Sequence, residues 1–261
     1  MRIDEQVVLV TGGARGLGKE ISRAFGREGA FVVVNYRRSA DAAADLVREL
    51  GADRAVALQG DVTDDDQVRS LVEKARSHFG RPITTVINNA LADFEFNGEG
   101  RPSPDALTWD DLDRQFRGAA KAMLSTTQAA LPGMREVGFG RVVNIGTNLF
   151  QHPVVPYHDY TAAKAAALSL TRTLAVDLGK DGITVNMVSG GLLRTTDASA
   201  ATPEEVFDLI ASGTPLRRVV TPAELAGAVL FFASPGSRAG SGQNLIEDGG
   251  LSAKHSANPV S

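Results

Sequence analysis

Tyr160 and Lys164 stand four residues apart in Tyr160-Thr161-Ala162-Ala163-Lys164. On a helix that spacing puts both side chains on one face, one turn apart. A cation beside a phenol favours the phenolate and draws its pKa down from about 10. A phenol so tuned can give a proton to a carbonyl oxygen or take one from an alcohol. Thr147 carries a hydroxyl that can hold the same oxygen. Far upstream, Thr11-Gly12-Gly13-Ala14-Arg15-Gly16-Leu17-Gly18 places glycines where a phosphate cradle needs them. Gly12 permits a sharp turn, Gly16 lets backbone approach a pyrophosphate, and Gly18 lets a helix pack closely on a sheet. A helix that begins there offers free N–H groups and a partial positive charge to phosphate oxygens. A proton donor and a dinucleotide cradle in one chain point to hydride transfer with a nicotinamide cofactor.

These groups need rigid elements to hold them. Apolar β-branched runs recur at residues 7–11, 31–36, 54–59, 84–88, 141–146, 183–188 and 243–247. Helical patterns separate them at 16–28, 40–50, 65–79, 109–137, 157–180 and 222–233. Continuous apolar strands alternating with helices predict a parallel sheet covered on both faces, a doubly wound Rossmann-type α/β fold of about seven strands. No Pro/Gly/Ser linker divides the chain, so residues 1–261 are expected to form one dinucleotide-binding domain. The irregular stretches 91–108 and 189–221 follow strand ends, where open α/β sheets bind ligands, and are expected to shape the substrate cleft. The last ten residues, Ser252 to Ser261, are expected to fray or to serve assembly.

The end of the second strand reads Val34-Asn35-Tyr36-Arg37-Arg38 and carries no carboxylate to hold a ribose 2′-hydroxyl. Arg15, Arg37 and Arg38 instead suit a 2′-phosphate through forked, charge-assisted hydrogen bonds, so NADP(H) is the expected cofactor. Asp61-Val62, after the third strand, is expected at the adenine end, although Asp61 alone would also serve as a helix cap.

Taken with Asn88-Asn89-Ala90, Ile183-Thr184-Val185-Asn186 and Gly242-Gln243…Asp248-Gly249-Gly250, these motifs resemble the classical short-chain dehydrogenases/reductases from Val7 to about Gly250. Within that family the chain is most similar to 3-oxoacyl-acyl-carrier-protein reductases. The resemblance implies Tyr160 as acid/base, Lys164 as its pKa tuner and ribose anchor, and Thr147 in the place of the family serine. It also puts Leu17, Tyr36, Asn89, Ala90 and Leu193 against the cofactor, and implies a homotetramer. Four departures stand out. Ala119 replaces an asparagine that helps hold a relay water, with Gln115 one turn earlier as a candidate substitute. Leu91 ends the Asn-Asn-Ala motif in place of glycine, and Gly190-Gly191 replaces Pro-Gly. At the expected carrier-protein contacts stand Gly138 and Asp181, with Arg135 and Lys180 nearby. A carboxylate there disfavours an acidic acyl carrier protein.

The expected reaction is therefore NADP(H)-dependent interconversion of a carbonyl and a secondary alcohol, with a 3-oxoacyl thioester as main substrate class. A sugar, polyol or steroid-type dehydrogenase is the enzymatic alternative, and a non-catalytic NADP-binding protein the alternative outside catalysis. Phe94, Phe96, Phe150 and Trp109 are candidates to line the cleft, with Phe94 and Phe96 equally suited to a subunit contact. His152 and His158 lie near its mouth, and Arg217-Arg218 in the second irregular stretch suits an anionic substrate tail or open solvent. The formal net charge of −4 and the lack of a basic run argue against nucleic acid. With no cysteine, no apolar leader and no apolar run of about 20 residues, the sequence predicts a cytoplasmic protein without a membrane span. No ligand spacing suggests a metal.

Overall fold

Val7–Val10 is apolar on both faces, and in the fold both faces are covered. The computed structural model describes residues 1–91, 94, 96–194, 196, 199–200 and 202–254. Seven strands form one parallel sheet: β1 (Val7–Val10), β2 (Phe31–Tyr36), β3 (Ala55–Gln59), β4 (Thr85–Asn88), β5 (Gly140–Thr147), β6 (Ile183–Gly190) and β7 (Asn244–Glu247). Their order is β3-β2-β1-β4-β5-β6-β7. The chain winds outward from β1 to β3, then returns to start again at β4. The crevice at the carboxyl ends of β1 and β4 is where such sheets hold dinucleotides.

Alternate strand residues feed opposite layers. Val8 and Val10 pack with Ile21 and Phe25 of α1 (Gly16–Arg27), Leu46 of α2 (Ala40–Leu50) and Val229 of α8 (Pro222–Ala233). Val7 and Leu9 pack with Leu71 of α3 (Asp65–Phe79), Met134 of α5 (Ala122–Val137) and Leu178 of α6 (His158–Leu178). Local chemistry sets the helix ends. The Asp64 side chain accepts from Asp66 N and Gln67 N at the start of α3. Thr221 and Glu224 form a capping box at α8, with Pro222 in the first turn.

Two features depart from the expected elements. The predicted helix over 109–137 is α4 (Trp109–Phe116) and α5 joined by a π-helical segment, Arg117–Lys121. Periodicity cannot reveal one extra residue in a turn. Within the stretch expected to be irregular, Glu204–Gly213 forms α7, an amphipathic helix that buries Phe207. A last short helix, α9 (Leu251–Lys254), holds the start of the expected tail, and its remainder lies outside the described residues. Among the described residues no helix is long and apolar enough to cross a membrane.

Candidate active site

The glycine turn is built for close approach. Gly12 and Gly16 take φ of 60° and 52°, the left-handed region that disfavours side chains. A Cβ on Gly12 would stand 3.1 Å from Ala90 Cα, and one on Gly18 would fall on the Gly12 carbonyl oxygen. The turn is clamped from β4 and β2. Asn89 Nδ2 donates to Thr11 O at 2.9 Å, and the Asn89 and Ala90 amides donate to Thr11 Oγ1 at 2.9 and 3.0 Å. Gly13 N donates to Asn35 O at 2.8 Å, and Asn35 Nδ2 reaches Gly60 O at 3.0 Å. Asn89 therefore shapes the cradle, a role its place in the motif did not disclose. Arg15 is the exposed N-cap of α1 and makes no side-chain cap there. The first N–H groups of α1 thus face outward without a side-chain acceptor from the cap, as a pyrophosphate requires. Leu17 packs inward against the core.

At the end of β2 stand half-buried Tyr36 and Arg37, then exposed Arg38. Arg37 Nη1 lies 3.5 Å from Asp61 Oδ2. Burial works to raise the Asp61 pKa, but hydrogen bonds from Thr63 and the Arg37 charge outweigh it and hold the carboxyl below its ordinary range. Sequence treats Asp61 and Arg37 separately, whereas the fold joins them. Val62, next to Asp61, is buried.

Thr147 ends β5, and Tyr160 and Lys164 lie in the first turns of α6, all three buried. Lys164 Nζ donates to Ile145 O at 2.7 Å and lies 5.8 Å from the Tyr160 ring centroid. The expected lowering of the phenol pKa is not what the chain alone produces. Burial pushes Tyr160 up to about 12, and the Thr147 hydroxyl only partly opposes it. Burial likewise brings Lys164 down to about 8. The reason is geometric: the ammonium is turned toward a backbone carbonyl, and the phenol is covered by Phe94 at a ring–ring distance of 4.3 Å. Desolvation outweighs the charge that spacing alone suggested.

Behind Lys164 is a cavity of about 20 Å³, room for one water molecule, lined by Thr11, Asn88, Ala90, Ala119 and Asn144 among others. Ala119 sits on the π segment, and Gln115 is buried away from this cavity. The polar wall comes from β4, β5 and α5 instead. Thr126 Oγ1 donates to Asn88 Oδ1 at 2.5 Å, Asn88 Nδ2 to Asn144 Oδ1 at 2.8 Å, and Asn144 Nδ2 to Thr171 Oγ1 at 2.9 Å.

A second network braces the site. Thr147, Gly190 and Glu247 are in register across β5, β6 and β7. The next residues, Asn148, Gly191 and Asp248, therefore meet just beyond the sheet edge. Asn148 Nδ2 donates to Asp248 Oδ2 at 2.9 Å, and Ser252 Oγ and Gly250 N donate to the same carboxylate at 2.5 and 3.0 Å. Burial would raise the Asp248 pKa, but these donors hold it below its ordinary range. A Cβ on Gly191 would come 3.2 Å from Asp248 Cβ and 3.3 Å from Asn148 Nδ2. This brace beside Thr147 is visible in sequence only as a terminal Asp-Gly-Gly.

Other candidates separate. Phe94 and Phe96 pack on Tyr160, whereas Phe150 joins Met123 and Met187 in the core and Trp109 is 72% exposed. Leu193 packs against the core layer of α8 and accepts from Ser199 Oγ through its carbonyl. His152 is buried and His158 half-buried at the start of α6. Arg218 pairs with Glu224 at 2.6 Å, so it serves the α8 cap region.

Comparison with known proteins agrees with this geometry. Residues 12–252 match the family described as enoyl-(acyl carrier protein) reductase. Versicolorin reductase of Emericella nidulans is 34% identical over 264 residues, 95% of this chain and 96% of that protein. The 7α-hydroxysteroid dehydrogenase of Escherichia coli K12 is 31% identical over 253 residues, 96% of this chain and 95% of that protein. A mutant of the Serratia marcescens short-chain dehydrogenase/reductase superimposes with a TM-score of 0.83 at 30% identity, over 97% of this chain and 100% of that one. With its glycine turn, its parallel sheet order and this agreement along nearly the whole sequence, the chain belongs to the classical short-chain dehydrogenase/reductase family.

Proposed function

We propose that this chain, as a single dinucleotide-binding unit, is an NADP(H)-dependent oxidoreductase acting on a ring-bearing ketone or secondary alcohol of the steroid or polyol type. The observation that carries the reading is the enclosed Thr147–Tyr160–Lys164 group beside a phosphate-fitting glycine turn. A nicotinamide cofactor held by the glycine turn would supply or accept the hydride. Tyr160 gives its phenolic proton to the carbonyl oxygen during reduction and takes it back in the reverse direction. Thr147 donates a hydrogen bond to that oxygen. Lys164 anchors the ribose, and its cavity with Asn88 and Asn144 provides a route for a water-borne proton. Arg15 and Arg37, with no carboxylate ending β2, favour the 2′-phosphate of NADP(H).

The ring-bearing class is preferred to the 3-oxoacyl thioester expected from sequence for two reasons. The similar proteins are named for versicolorin and for a hydroxysteroid. Arg135, which could have met an acidic carrier, is paired with Asp181 at 2.7 Å, and Gly138 offers no charge. An NADPH-oxidation screen over ring ketones, sugars and 3-oxoacyl thioesters tests the reading, with ring ketones expected to turn over fastest. Tyr160→Phe should lower that rate by about 10²–10⁴-fold while NADPH affinity is kept. Full activity in Tyr160→Phe would place the acid elsewhere. Intact NADPH binding with no turnover of any class would mark a non-catalytic binding protein.

A further inference from the structure

Four aromatic rings, Phe94, Phe96, Tyr157 and Tyr160, meet at the candidate site. Phe94 lies flat on Tyr160, with ring centroids 4.3 Å apart and planes 15° from parallel. Phe96 stands nearly edge-on to Tyr160 at 5.7 Å and 79°, and to Phe94 at 5.1 Å and 87°. Tyr157 adjoins both phenylalanines, 5.3 Å from Phe94 at 80° and 5.8 Å from Phe96 at 78°. Tyr157 is also the fixed point of the group: it is buried, and its hydroxyl oxygen accepts from Gly98 N at 2.8 Å. The result is a nest of rings in which Phe94 rests on the Tyr160 face, with Phe96 and Tyr157 side by side and each nearly perpendicular to it. Ring edges carry partial positive charge and ring faces partial negative charge, so a flat π-system in the place of Phe94 keeps both the stacked and the perpendicular contacts. Phe94 itself is only half-buried and belongs to the segment after β4, not to the sheet.

We infer that the place Phe94 occupies in this nest is a substrate subsite for a planar aromatic ring fused to the ring that carries the reacting oxygen, and that Phe94 is its displaceable stand-in. The inference rests on the oxidoreductase reading above and narrows its ring-bearing class to fused aromatic substrates, away from saturated steroids and polyols. A flat ring can replace Phe94 on the Tyr160 face and regain its stacking and edge contacts. The adjoining fused ring then carries its oxygen toward the hydroxyls of Tyr160 and Thr147. A saturated ring is thicker, because axial hydrogens project from both faces, and has no quadrupole to meet the perpendicular rings of Phe96 and Tyr157.

The test uses two matched pairs. β-Tetralone and trans-β-decalone share a fused skeleton and an unconjugated ketone, and differ in the flatness of the second ring. β-Naphthol and trans-β-decalol make the same comparison for binding without turnover. Calorimetry on the full chain with saturating NADP⁺ should show β-naphthol binding about 3- to 10-fold more tightly than trans-β-decalol. Phe94→Ala should tighten β-naphthol, because no ring has to be displaced, and Phe96→Leu should shrink the preference. In NADPH oxidation the KM for β-tetralone should lie below that for trans-β-decalone. Equal or tighter binding of the decalol, no binding of either alcohol, or weaker β-naphthol binding in Phe94→Ala would overturn the subsite. Turnover of the decalone at equal or lower KM would overturn it and leave the oxidoreductase reading standing. β-Naphthol preference without turnover of either ketone, with NADPH or NADH, would support the subsite and count against that reading.

Discussion

Burial drives Tyr160 and Lys164 toward their neutral forms, with pKa values of about 12 and about 8. The consequence for Lys164 has a definite sign. Unfolded, the amine titrates near 10.5; folded, near 8, so between these values the unfolded chain holds more protons and stability rises with pH. Below about pH 8 both states are charged and the folded state bears the full cost of the buried ammonium. Lys164→Met removes that cost at every pH. Its stability relative to the parent chain, read by urea unfolding, should therefore fall as pH is raised from about 7 to about 10. A difference that stays constant or grows would show that the amine keeps its ordinary pKa. Arg37 carries the second prediction at this scale. Its guanidinium is held near the end of β2 by Asp61 at 3.5 Å. Arg37→Ala should weaken NADPH binding by about 1.5–3 kcal/mol and leave NADH binding nearly unchanged, as calorimetry would show. Equal loss for both cofactors would remove Arg37 from the 2′-phosphate.

Strand register decides which residues brace the site. Because β5, β6 and β7 end together, Asn148, Gly191 and Asp248 meet next to Thr147. Asp248→Ala leaves the Asn148 amide, buried to 2% exposure, without its acceptor. The expected cost is about 1–3 kcal/mol in urea unfolding, for an unsatisfied buried donor. If the brace also positions Thr147, kcat should fall with KM nearly unchanged, and Asp248→Asn, which keeps an acceptor oxygen, should restore most of it. An unchanged kcat in Asp248→Ala would confine the network to stability. The α4–α5 helix makes a related point. A π segment at 117–121 puts Ala119 on the cavity behind Lys164, so the site keeps room for a water without the asparagine. Alanine at that position reads as a loss against the family's asparagine. The cavity, the Asn88–Asn144 pair and Thr126 show that polar groups come from β4, β5 and α5 instead.

At the scale of the whole molecule, large apolar side chains remain uncovered on several helices. Trp109 at the start of α4 is 72% exposed, Val176 on α6 is 82% exposed and Phe231 on α8 is 49% exposed. Apolar groups on separate helices suit burial across more than one symmetry axis. A homotetramer is therefore expected by light scattering at micromolar concentration, with a dimer as the smaller alternative. Trp109→Glu, which puts a charge where an apolar ring would be covered, should shift the population toward smaller species. A monomeric parent chain would remove this expectation.

The sequence by itself determined the parallel sheet, because period and apolar runs are local properties. Six of the helices were legible for the same reason, as was the glycine turn, where only a residue without a Cβ fits at Gly12 and Gly18. The Tyr160–Lys164 pair was also legible, since helical spacing fixes which side chains share a face. Three things were not legible: the cover of Phe94 over Tyr160, the joining of Arg37 to Asp61, and the meeting of Asn148 with Asp248 across a separation of 100 residues. Each brings together groups distant in sequence. Only the tertiary structure decided the sign of the Tyr160 shift. Spacing tells that a cation is near, but whether charge or desolvation prevails depends on where the ammonium points and on what covers the ring.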